Sequence, residues 1–194
     1  MLRKLLVPVV VLAVLGSAGV AYASHGHDDD GLARVKHATS KFRNLSVANA
    51  DGYGLLVDAK GIACIDMPGM GAMGVHYVKG SLVGDGAIDP LTPEAVVYEP
   101  DERGRSRLVA LEYVVFQDAW DAQHDSKPSL FGQEFMLTPA GNRFGLPAFY
   151  SLHAWLFKHN PAGMFAMWNP RVSCTPDDEH GAHHGEDHVG QMDG

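Results

Sequence analysis

The chain has 194 residues and a formal net charge of −8, from 15 Lys and Arg against 23 Asp and Glu. The acidic residues gather at Asp28–Asp30 and within 175–194, so the stretch between is near neutral and lacks the basic stripe that grips nucleic acid. After the first 23 residues no run is apolar enough for a stable membrane span, and the remaining body of about 145 residues suits one domain.

Residues 1–23 read as a signal peptide. Arg3 and Lys4 precede the apolar run Leu5–Leu15, and Ala21-Tyr22-Ala23 is a small-residue cleavage site. An uncleaved anchor is the competing reading, since Leu5–Ala23 carries no charge. Cleavage predicts an exported protein, periplasmic or extracellular. It leaves residues 24–30 as a His- and Asp-rich N-terminal tail in which the new amine, His25 and His27 offer nitrogens to Cu(II) or Ni(II).

Gly31–Asn44 is predicted helical. Leu32, Val35, Ala38 or Thr39, and Phe42 fall at helical spacing, and His37 points to solvent. Ser46–Ala50 predicts a second short turn of helix. Leu55–Val57 and Ile62–Cys64 are short strand candidates around Ala59-Lys60-Gly61, and Val75–Lys79 is another. Ala95–Glu99 and Arg107–Phe116 form the clearest hairpin, joined by the polar connector 100–105. Residues 118–149 have weak periodicity and scattered Pro and Gly, the composition of a functional lid or of a segment carrying short helices. Tyr150–Lys158 alternates again, with Ser151, His153, Trp155 and Phe157 on one face. Residues 175–194 hold His180, His183, His184 and His188 among carboxylates, a disordered metal-binding composition. The order predicts one α+β domain over 31–174. N-terminal helix or helices precede a curved, mainly antiparallel sheet or small barrel.

The stretch Cys64–Val78 stands out. Met67, Met70 and Met73 recur every three residues among glycines, and His76 enters an apolar run. Thioether and imidazole are ligands for copper, whereas glycines permit close backbone approach; gap-filling methionines in a core are the plainer alternative. Cys64 and Cys174 are the only cysteines, and an even count in an exported chain predicts a disulfide between them.

His76, Glu112 and His153 each interrupt an apolar strand. A carboxylate sharing the face of Ala110, Val114 and Phe116 must be paired, protonated or coordinated. Two imidazoles and a carboxylate suffice for an open zinc or non-haem iron site, or for a copper site completed by Met70 or Met73. A hydrogen-bonded core role is the structural alternative.

Met73-Gly74-Val75-His76-Tyr77-Val78, Leu91-Thr92-Pro93-Glu94, Leu111-Glu112-Tyr113 and the run from Leu152-His153 to Asn169-Pro170 resemble an uncharacterised family of exported bacterial proteins, over about residues 38–174. That resemblance implies export and brings no activity or cofactor. The residues themselves predict a soluble metal-binding protein, for copper first, with zinc, nickel or iron as alternatives. A metal-dependent enzyme under a 118–149 lid and a module for a small apolar ligand are the rivals. No motif of hydrolases, zinc proteases or phosphate-binding loops is present.

Overall fold

The computed structural model describes residues 25–174, with side chains from residue 30 onward. The predicted signal segment 1–23 and the tail 175–194, with His180, His183, His184 and His188, lie outside the described residues. So do the side chains of His25 and His27.

Helix α1 (His25–Thr39) leads through a 3-10 turn at Ser40–Arg43 into the short α2 (Leu45–Ala50). It begins at His25, ahead of the expected Gly31. Of the predicted stripe, Val35, Thr39 and Phe42 are buried, Leu32 packs against them and His37 is exposed.

The remaining elements are β1 (Gly54–Leu55), β2 (Cys64–Met67), β3 (Gly71–Val78), α3 (Gly80–Val83), β4 (Ala95–Pro100), β5 (Ser106–Phe116), α4 (Gln117–Asp121), β6 (Ser129–Leu130), β7 (Gln133–Glu134), β8 (Met136–Thr138) and β9 (Phe149–Ala154). Seven strands make one open sheet in the order β1-β3-β4-β5-β9-β8, with β2 also paired to β3, and β6–β7 stand apart as a small hairpin. Every pairing among the described residues is antiparallel. The fold is therefore α+β, with an open sheet and not a closed barrel.

Three strand expectations need correction. Leu55–Val57 and Ile62–Cys64 do not pair with each other; β1 and β2 each pair with β3. The Gly-rich stretch is itself the β2–β3 hairpin, turning at Pro68–Met70. Strand β9 ends at Ala154, because Phe157 and Lys158 both donate their N–H to the Val109 carbonyl and draw the chain back over β5.

One sheet face packs on the helices. Tyr98, Tyr113, Leu152 and Ala154 meet Val35, Phe42 and Ala48, and the Tyr98 hydroxyl donates to the Phe42 carbonyl at 2.6 Å. The other face carries the candidate site. Its far end is closed by the segment after β9: Asn169 bridges Ala72, and Gly71 (φ +89°) permits that approach, since a Cβ there would lie 2.1 Å from the Asn169 carbonyl oxygen. The Cys64–Cys174 disulfide, with Cα atoms 5.5 Å apart, ties the same segment to β2. The pairing expected from the sequence is thus present.

Two buried carboxylates off the site are resolved in different ways. Glu99 is held by Arg107 and by Lys158, whose Nζ lies 2.6 Å from Oε2. Glu94 has no cationic partner among the described residues; just before β4 begins, its Oε2 accepts the Val114 N–H at 3.0 Å, and burial pushes its carboxyl up to about 8.

Reduction of the disulfide, or a Cys64→Ser/Cys174→Ser pair, is expected to cost about 2–5 kcal/mol in a urea titration. Glu94 gives a pH dependence of the opposite sign to a salt-bridged acid. The unfolded chain loses this proton near the ordinary carboxylate pKa and the folded chain near 8. Its stabilising contribution is therefore complete below pH 4.5 and declines as pH rises towards about 8. Glu94→Gln keeps an acceptor oxygen for Val114 and is expected to flatten that decline in denaturation curves taken across the same window.

Candidate metal centre

His76 comes from β3, Glu112 from β5 and His153 from β9. Glu112 and His153 are direct cross-strand partners. His76 must reach across β4, which lies between β3 and β5, a distance of two strand spacings or about 10 Å. Ala95, directly opposite Glu112 on β4, shares that face and is small enough to leave the path open.

A bulge brings β3 into position. Ile65 pairs with Gly74 but Asp66 pairs with Ala72, so Met73 is the extra residue. Regular alternation would put Met73 and His76 on opposite faces, being three apart; the bulge turns both towards one cavity. Gly74 makes this conformation, with φ +99° and its Cα so near β4 that a Cβ would sit 2.6 Å from the Tyr98 carbonyl oxygen.

The three side chains converge. His76 Nε2 lies 3.3 Å from His153 Nε2 and 3.4 Å from Glu112 Oε2, and His153 Nδ1 lies 3.6 Å from Glu112 Oε1. One ligand atom from each residue falls within 4.8 Å of the others. Two donors bound at about 2.0–2.1 Å to one tetrahedral ion are separated by about 3.3–3.4 Å, which the first two distances match. His76, Glu112 and His153 form a buried group that could hold a metal ion.

The charges leave room for one. Burial lowers both imidazoles to about 4; for His76 the Glu112 carboxylate opposes the shift and His153 adds to it. Both rings are accordingly neutral near pH 7, the form that binds metal. Burial raises the Glu112 carboxyl, opposed by His76 and by a hydrogen bond from Ser151. Unlike Glu99, Glu112 has no Lys or Arg partner among the described residues. His76 Nδ1 is buried without a hydrogen-bond partner of ordinary geometry, although the Gly74 backbone is near enough to favour a proton on the ring.

The group lines a cavity of about 500 Å³. Val114 and Phe116 share its wall with Glu112, and Ser151 with His153, as the alternation of β5 and β9 predicts. The methionine expectation divides. Met73 is buried on the cavity wall, whereas Met70 is 49% exposed in the hairpin turn and is absent from that wall. Met67 and Met167 also line it. Their positions depend on the hairpin and on the irregular segment after β9, which residue spacing does not describe. Part of 118–149 supplies a wall through Thr138, Asn142, Arg143, Phe144 and Leu146. Arg143 fixes this loop across the cavity, pairing with Asp58 at 2.8 Å while its carbonyl accepts the Ala59 N–H.

No protein-family model, curated protein or solved structure matches the chain.

Gly74→Ala is expected to destabilise the protein by at least about 2 kcal/mol, because strain at positive φ and a backbone clash add. Gly69→Ala, also at positive φ (+81°) but with no atom within 4 Å of the new Cβ, is the control and is expected to cost about 1 kcal/mol. Urea titrations of the two variants compare them directly.

Proposed function

We propose that the chain is an exported metal-binding protein whose body holds one first-row transition-metal ion through His76, Glu112 and His153. The observation that carries the reading is a buried carboxylate facing two neutral imidazoles with no cationic side chain of the described residues paired to it. A divalent ion supplies the missing positive charge and uses the lone pairs that the rings present to one another. Copper is the preferred ion, because thioethers of Met67, Met73 and Met167 line the same cavity and soft sulfur favours it over zinc or iron. Met70 has no part in this body site.

In this reading the His-rich segment 175–194 and the histidines at 25 and 27 capture Cu(II) or Ni(II) separately from the body. The disulfide is compatible with an oxidising compartment outside the cytosol, and no helix among the described residues is long and apolar enough to cross a membrane. Export also accords with the family that the chain resembles.

A second reading, a metal-dependent enzyme, is favoured by one observation: three protein ligands leave an ion with open positions, and those face a cavity of about 500 Å³. Both readings require the same ion.

The full chain, loaded with Cu(II), freed of excess metal and assayed by mass spectrometry, is expected to lose one ion per molecule in either His153→Ala or Glu112→Gln. Removal of 175–194 is expected to lower the number of bound ions without abolishing the one that depends on His153. Unchanged metal content in both folded site variants would sink the reading.

A further inference from the structure

The cavity beside the triad is apolar in a selective way. Val78, Val83, Val114, Leu146 and Phe149 supply its lining. The polar groups on the same wall are largely committed elsewhere. Asn142 uses its amide on the carbonyls of Pro139 and Leu146 and accepts from the N–H groups of Phe144 and Leu146. Arg143 is paired with Asp58, and Ser151 serves Glu112. Asp66, exposed on the β2–β3 hairpin, is the other carboxylate on the wall. An occupant therefore meets hydrocarbon along most of its length and a buried polar cluster formed by His76, Glu112 and His153.

Charge selects the head group of that occupant. A divalent ion held by two neutral imidazoles and one carboxylate keeps a net charge of about +1, and burying an uncompensated charge in an apolar site is unfavourable. A single anionic oxygen ligand at the open position neutralises it. Carboxylates arrive already ionised at neutral pH, whereas an alcohol or phenol must first lose a proton. We infer that the cavity receives an apolar molecule bearing one terminal carboxylate, which binds the ion at the open face of the triad while the hydrocarbon fills the space below α3 and the 139–146 loop. This rests on the metal reading above and adds the class of ligand.

Octanoate, acetate and 1-octanol separate the contributions of head and tail. The full chain is loaded with Co(II), whose visible absorption reports its ligands, and the part of the band lost in His153→Ala defines the body ion. Octanoate is expected to shift that part of the band and to bind at least about tenfold more tightly than acetate, which lacks the tail, or 1-octanol, which lacks the charge. Leu146→Trp and Val83→Trp fill the cavity away from the triad, and each is expected to bring octanoate down to the level of acetate while the Co(II) band persists.

Octanoate binding no better than either comparator, or unaffected by both Trp variants, would overturn the inference and leave the metal reading intact. A wild-type spectrum with no component dependent on His153 would overturn both. The head-and-tail comparison needs only the wild-type chain, so it decides the matter even if a Trp variant fails to fold.

Discussion

A carboxylate buried without a cation is the constraint around which this sheet is arranged. Glu112 sits on a central strand, and its charge has to be offset by something on the same face. Two histidines from strands on either side meet it, each neutral because burial disfavours the imidazolium. Two other buried acids are handled differently: Glu99 has Lys158 and Arg107, while Glu94 keeps its proton and accepts one backbone N–H. Neither of those lines the cavity. Among the buried carboxylates of the described residues, Glu112 is thus the one with neither a Lys or Arg partner nor a backbone donor, and it is the one that an ion can approach.

The geometry is held by backbone features as much as by side chains. His76 reaches Glu112 only because Ala95 leaves space on the intervening strand, and it faces the correct side only because β3 bulges at Met73. The hairpin carrying that bulge is fixed at two further points, by the Ala72–Asn169 bridge and by the disulfide. Loosening either would act on His76 through β3, so parts of the chain with no direct contact to the triad still set its spacing.

The opposite face is an ordinary core, where tyrosines and aliphatic residues of β4, β5 and β9 pack on α1 and α2. Tyr53 and Tyr98 place their hydroxyls on backbone carbonyls at 2.6 Å, which satisfies the polar ends of two buried rings. This division of labour leaves the second face free to enclose a cavity. A well-packed layer bears the stability, and the loop 139–146, clipped by Arg143 to Asp58, covers the space above the triad.

Local regularities in the sequence determined a good deal. Helical spacing identified the stripe Leu32, Val35, Ala38 or Thr39, and Phe42, of which the fold buries Thr39 and not Ala38, and alternation placed Glu112 with Val114 and Ser151 with His153. Those patterns are legible because side-chain direction repeats every 3.6 residues in a helix and every two in a strand. The parity of Cys64 and Cys174 was likewise enough to name the disulfide. Tertiary structure alone decided the rest. A bulge reverses the alternation on which strand reading depends, so the side of β3 that Met73 and His76 share followed from the Ile65–Gly74 register and not from spacing. Met70 and Met73 look equivalent in the sequence, yet one is exposed at a turn and the other is buried beside His76, because the hairpin places the turn at Pro68–Met70. Met167 and Arg143 entered the cavity wall through irregular segments, where no repeat connects neighbours in the chain to neighbours in space. Convergence of three residues on strands distant in sequence is a matter of sheet order, and only the folded chain fixes that order.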